Sequence, residues 1–141
     1  MIRWVALAVV IAVGAGGAFW LLRPGPETAL CALDETLSAP SGRSVTLCEV
    51  LYERQPDESV WAVIRVVDAD LPPAGVEMVT NDHDWACETW GIPALTWEPR
   101  PTRVVVQIME SAFARGEPAP GVRQRIEAYS EDGGTCLWEL F

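Results

Sequence analysis

The stretch Val60 to Val67 reads VWAVIRVV, and its nearly continuous β-branched and apolar sequence predicts a central strand of a β-sheet. A second run of this kind, Arg103 to Met109 (RVVVQIM), predicts another strong strand. Before the first run, apolar and polar positions alternate from Ser44 to Glu53, which is typical of a strand with one buried face. We expect this earlier strand to pair with the Val60 run as a hairpin.

The C-terminal residues predict a second hairpin. The segments Val122 to Ser130 and Thr135 to Phe141 flank the sequence EDGG at 131–134. Gly133 and Gly134 can adopt positive φ, which tight two-residue hairpin turns require. Two further strands are therefore expected at the end of the chain.

Two helices are predicted after residue 23. Asn81 is a favourable N-cap for a helix over Asp82 to Trp90, and Gly91 and Pro93 follow as stop signals. A short amphipathic helix is predicted over Thr28 to Leu37 from its apolar spacing.

The predicted fold class is α+β, because strands outnumber helices and turns join consecutive strands. We expect an N-terminal transmembrane helix, then a small antiparallel sheet of about five strands with one packed helix. The predicted divisions are a membrane anchor or uncleaved signal segment at 1–23, a linker with a short helix at 24–40, and a disulfide-containing periplasmic domain at 41–141.

The transmembrane prediction rests on Trp4 to Leu22, which carries no charge and lies between Arg3 and Arg23. At about 1.5 Å per residue, a helix of this length spans roughly 28 Å, close to the thickness of a hydrocarbon core. We expect this run to lie in a lipid bilayer. Three aromatic residues at its ends are predicted to lie at the membrane interface: Trp4, Phe19 and Trp20.

The same run has a second interpretation, a secretory signal peptide cleaved at the small residues of 15–18. If it is retained, small residues spaced four apart would let another helix approach closely. This predicted helix-packing stripe consists of Ala8, Ala12 and Gly16. The arginines at the two ends do not decide the orientation of the run.

The rest of the chain is strongly acidic. The chain has ten basic and twenty acidic residues; all the acidic ones but only eight of the basic ones follow residue 23, which gives residues 24–141 a formal charge of −12. An acidic surface repels phosphate backbones and anionic lipid headgroups. Nucleic-acid binding is therefore not expected, and a cationic partner is compatible with the charge.

Four cysteines follow an export-type segment, and this combination predicts two disulfides in an oxidising compartment. Three pairings are possible. We prefer Cys31–Cys48, which closes a short loop, together with Cys87–Cys136, which ties the predicted helix to the last strand. The cysteine spacings match no zinc pattern, so no metal is expected.

The sequence Asp82-His83-Asp84 is the one cluster that suggests catalysis or metal binding. Neighbouring helical residues point about 100° apart, so these three cannot converge on one ion without distant ligands. We interpret them as an exposed first helical turn. No catalytic residue and no cofactor is predicted, and an enzyme built around His83 is the weaker hypothesis.

Five tryptophans lie beyond residue 23, and tryptophan is favoured at binding surfaces as well as in cores. Trp61 and Trp138 lie on predicted strands and are expected in the core. Trp90 and Trp97 flank the loop after the predicted helix, and they are the candidate surface aromatics.

The tail resembles a family of small exported alphaproteobacterial proteins of unknown function. The resemblance rests on PTRVVVQI at 101–108 and on the pattern EAY, EDG and CLWELF within 127–141. It extends loosely over residues 40–141. It implies Cys87 and Cys136 as a recurring pair, with Cys31 and Cys48 as additions, and it implies no activity.

These features predict a non-enzymatic accessory or assembly subunit of a membrane protein complex. We expect a single-pass protein of the bacterial inner membrane, with its C-terminal domain in the periplasm and a membrane-protein partner. The alternative is a soluble periplasmic ligand-binding domain with a cleaved signal peptide, which would require a concave aromatic pocket.

Overall fold

The computed structural model describes residues 30–76 and 81–140. The strands are β1 (Glu35–Ser38), β2 (Ser44–Arg54), β3 (Val60–Val67), β4 (Arg103–Met109), β5 (Gln124–Asp132) and β6 (Thr135–Glu139). Between β3 and β4 lie helix α1 (Asp82–Ala86), a π-helical turn (Cys87–Gly91) and helix α2 (Ile92–Ala94), which we call together the helical segment.

The six strands form one sheet in the order in which they occur along the chain. Every neighbouring pair is antiparallel except β3 and β4, which run parallel in a register from Trp61 opposite Arg103 to Val67 opposite Met109. Parallel strands need a long crossover connection. Residues 68–102 provide it and carry the helical segment across one face of the sheet.

The predicted fold class is wrong. The sheet has six strands rather than about five, and it is mixed rather than antiparallel. The nearly continuous apolar sequences of β3 and β4 agree with parallel strands that are buried on both faces. Within 30–76 and 81–140, no helix is long and apolar enough to cross a membrane. The predicted transmembrane helix, its interface aromatics and its small-residue stripe lie outside the described residues.

The predicted helix over Thr28 to Leu37 is also wrong where the structure describes it. Residues 35–38 form β1, which pairs with β2 from Glu35 opposite Leu47 to Ser38 opposite Ser44. The predicted linker boundary at residue 40 therefore falls inside a β-hairpin. The predicted hairpins of β2 with β3 and of β5 with β6 are confirmed, and β3 and β4 have the predicted bounds.

The main core lies between the sheet and the helical segment, on what we call the helix side. Asn81 caps α1 as predicted, since its side chain accepts hydrogen bonds from the backbone of His83 and Asp84. The segment continues past Gly91, and Gly91 packs closely against β4: an added Cβ would lie 2.6 Å from Cγ1 of Val104. The apolar side chains buried on this side include Ala62, Ile64, Val66, Trp90, Val106 and Ile108.

The other face, the open side, has a smaller apolar cluster of Val63, Val105 and Ala128. Beside it, Arg65 is fully buried; it pairs with Glu49 and donates to the side chain of Gln107 at 2.9 Å and to the carbonyl oxygen of Phe113 at 2.7 Å. The guanidinium also lies 5.0 Å from the centre of the Phe113 ring. The loop after β4 thus covers part of this side.

The predicted disulfides are present as the preferred pairs, Cys31–Cys48 and Cys87–Cys136. The first fixes the chain before β1 to β2, and the second fixes the helical segment to β6.

Candidate functional site

Strand β6 is an edge of the sheet: among the described residues it pairs with β5 alone. Trp138 is 54 % exposed and Leu137 is 47 % exposed, and Leu140 just beyond the strand is 82 % exposed. We call residues 135–140 the β6 edge. Large exposed apolar side chains concentrated in one element are typical of binding surfaces.

The strand register places these side chains on both faces. Trp138 lies opposite Tyr129, which belongs to the core on the helix side. Leu137 lies opposite Ser130, which neighbours Ala128 of the cluster on the open side. The β6 edge therefore presents an apolar side chain on each side of the sheet.

The β6 edge is held rigidly. The Cys87–Cys136 disulfide anchors it to the helical segment, and a tight turn at Gly133 and Gly134, with φ of 61° and 86°, joins it to β5. At its far end, Arg103 forms an ion pair of 2.7 Å with Glu139. A rigid surface loses little conformational entropy on binding.

Trp138 was predicted in the core from its place on a strand, and that prediction is wrong. A strand residue is buried only if its face is covered, and the helical segment does not cover Trp138, which stays largely exposed. The sequence marked a strand correctly but did not show that it lies at the sheet edge.

The two predicted surface aromatics lie apart. Trp90 belongs to the core at 7 % exposed, and its Nε1–H donates to the carboxylate of Glu35, so its prediction as a surface residue is wrong. Trp97 is 52 % exposed and stacks on Tyr52, with ring centroids 4.4 Å apart. That Trp97 binds a ligand stays a prediction.

The residues of the Asp82-His83-Asp84 cluster do not converge on one ion: Asp82 pairs with Arg43, whereas His83 and Asp84 face Glu127 and Tyr129. Asp82 is buried and pairs with Arg43, which also holds Asp68, each at 2.7 Å. These pairs fix the β1–β2 turn and the end of β3 to the start of α1. The prediction of an exposed first turn is therefore wrong for Asp82 and for His83, both of which are buried.

His83 is fully buried on the helix side. Its Nε2 lies 3.3 Å from the carbonyl oxygen of Arg125, and its Nδ1 lies 3.8 Å from Glu127, which accepts a hydrogen bond of 2.8 Å from the hydroxyl of Tyr129. Burial lowers the pKa of His83, and the Glu127 carboxylate opposes this in part. Burial and the same carboxylate raise the pKa of Tyr129. These groups brace α1 against β5.

No group of three or more histidine, cysteine or acidic side chains within 30–76 and 81–140 is arranged to hold a metal ion. A cleft of about 350 Å³ lies at the start of β4, lined by Leu95, residues 100–104 and Glu131. Its Arg100 is engaged with Glu131 at 3.1 Å, and neither Trp90 nor Trp97 lines it. The cleft is therefore not the aromatic pocket that a ligand-binding domain would require.

A family model described as "Family of unknown function (DUF6497)" matches residues 24–141. No curated protein and no solved structure matches the chain. This match confirms the part of the prediction that named a family of unknown function; it does not test the organisms or the tail motif.

Proposed function

Because the chain belongs to the DUF6497 family, whose description assigns no activity, we propose its function from its surface: a non-enzymatic accessory domain that binds a partner protein through the β6 edge. The proposal rests on one observation: β6 is an apolar edge strand with Leu137 and Trp138 exposed on opposite faces of the sheet.

The contrast between the two edges of the sheet supports this choice. Natural proteins protect free edges with short, charged or polar strands. Within β1 the exposed residues are Glu35, Thr36 and Ser38, all polar, and the exposed apolar Leu33 lies before the strand. In β6 the one charged residue, Glu139, is neutralised by Arg103. An edge that lacks this protection is suited to contact with another chain.

The two disulfides support an exported location, since disulfides persist in oxidising compartments such as the bacterial periplasm. We therefore propose that the domain functions in the bacterial periplasm, as a subunit of a larger protein complex. The acidic surface favours a partner with cationic surface residues.

The arrangement of the polar residues supports a binding role over catalysis. His83, the one histidine of the chain, is enclosed beside Glu127 and Tyr129 and is not among the residues that line the cleft at the start of β4. A general base must reach the proton that it abstracts. The buried position of His83 suits a structural brace better.

Site-specific photo-crosslinking in the native cell tests the proposal. A photoreactive phenylalanine analogue at Leu137 should give one adduct of defined mass, and Trp138→Ala should reduce its yield at least fivefold. The matched control carries the analogue at Leu33, which is also exposed but lies near the β1 edge. Equal adducts from both positions, or an adduct unaffected by Trp138→Ala, would contradict the proposal.

A further inference from the structure

The β5–β6 hairpin determines which backbone groups of β6 face outward. Asp132 lies opposite Thr135, and only Gly133 and Gly134 separate them. In a two-residue hairpin the flanking pair exchanges both backbone hydrogen bonds, and hydrogen-bonded pairs then alternate along the ladder. Leu137 and Glu139 therefore bond to β5.

The residues between them face the other way. Cys136 and Trp138 direct their backbone N–H and C=O groups away from the sheet. No backbone hydrogen bond from another strand of the described chain reaches this side of β6. Two donors and two acceptors therefore lie in a row on the β6 edge, in the spacing that an added strand needs.

We infer that the β6 edge binds a basic, extended segment of a partner protein by strand addition. This inference rests on the proposed function and specifies its mode and its partner. The added strand bonds to the outward groups of Cys136 and Trp138. Because side chains alternate along a strand, its apolar side chains pack on one face of the sheet, beside Trp138 or beside Leu137, and its basic side chains lie on the other face.

The charge around the β6 edge favours a basic segment. The two arginines nearest the hairpin are already engaged, Arg103 with Glu139 and Arg100 with Glu131. Asp132 in the hairpin is an exposed carboxylate, and so is Glu88 beside the Cys87–Cys136 disulfide. A second copy of the chain would bring the same surplus of acidic groups, with a net charge of −10. Lysine or arginine on the added strand removes that repulsion.

Protein semisynthesis can block one outward N–H without changing a side chain. The native Cys136 allows residues 1–135 to be ligated to a synthetic peptide of residues 136–141, carrying N-methyl-Trp138. The unmodified ligated chain is the matched control. Mass spectrometry checks that Cys87–Cys136 has re-formed, and circular dichroism checks the fold.

The probes are two synthetic octapeptides, one alternating lysine with valine and one alternating glutamate with valine. At low salt, the lysine peptide should bind the control chain at least tenfold more tightly than the glutamate peptide. N-methylation of Trp138 should weaken binding of the lysine peptide at least tenfold. Isotope-edited NMR should place the largest shifts at the amides of Cys136 and Trp138.

Strand addition by a basic segment would be overturned if the two peptides bound equally or if neither bound. It would also be overturned if N-methylation of Trp138 left the affinity for the lysine peptide unchanged. If the crosslink at Leu137 still depends on Trp138, the proposed docking surface stands and only its mode is wrong. A chain that dimerises in sedimentation equilibrium, and stops doing so with N-methyl-Trp138, would show that a second copy occupies the edge.

Discussion

The indole of Trp90 donates a hydrogen bond of 2.9 Å to the carboxylate of Glu35 and so joins the helical segment to β1. Trp90→Phe should remove this bond and some buried surface, at a cost of about 1–3 kcal/mol in the free energy of unfolding. Urea denaturation measures the loss. Trp97→Phe is the control, because half-exposed Trp97 should lose under about 1 kcal/mol. Equal losses would contradict the assignment of Trp90 to the core.

Gly91 lies so close to β4 that no larger side chain fits. In Gly91→Ala the new methyl group would meet Val104 at 2.6 Å and the sulfur of Cys87 at 3.3 Å, which predicts a loss of about 1–3 kcal/mol through overpacking. Thermal unfolding measures it. Val104→Ala should lower the free energy of unfolding less in the Gly91→Ala background than in the parent chain, because it removes the clash. Additive losses would argue against this contact.

The buried His83 predicts a stability that depends on pH. Burial lowers the pKa of His83 below the ordinary value of 6.5. Just below pH 6.5, His83 is therefore protonated in the unfolded chain but neutral in the folded chain. Stability should be level above pH 6.5 and fall as the pH drops below it. Urea titrations at pH 7.5, 6.5 and 5.5 measure the slope.

His83→Gln is the matched control for that slope, because the chain has no other histidine. The variant should lose most of the dependence between pH 7.5 and 5.5, whatever its overall stability. An unchanged slope would show that another group is responsible.

The two disulfides should differ in their contributions. Cys87–Cys136 joins residues 49 apart and Cys31–Cys48 joins residues 17 apart. By the loop-entropy relation, removing them should cost about 4 and about 3 kcal/mol. The paired variants Cys87→Ser with Cys136→Ser, and Cys31→Ser with Cys48→Ser, test this by denaturation. Hydrogen exchange should increase in β6 for the first pair only, and an increase for both would contradict the anchoring role of Cys87–Cys136.

Local sequence patterns correctly predicted the strands whose own residues indicate a strand or a hairpin turn. β3 and β4 are β-branched runs with the predicted bounds, and the glycine pair at 133–134 predicted the last hairpin. β1 was missed because Leu30, Leu33 and Leu37 are spaced as on a helix face, although pairing with β2 determines the conformation of this segment.

Features that depend on long-range neighbours were not predictable in the same way. The parallel pairing of β3 with β4 depends on the crossover rather than on either strand sequence. The candidate site was missed for a related reason: alternation shows that Trp138 lies on a strand, but not that the strand lacks a neighbour and a covering layer. Trp90 was misplaced because the helical segment continues through Gly91.

The uninterrupted strand order from β1 to β6 puts the first and last strands at opposite margins of the sheet. Five spacings of about 4.8 Å separate them, roughly 24 Å in all. A partner bound to β6, as proposed, would therefore lie at the margin of the sheet far from β1. The two disulfides lie near these opposite margins, Cys31–Cys48 beside β1 and Cys87–Cys136 on β6.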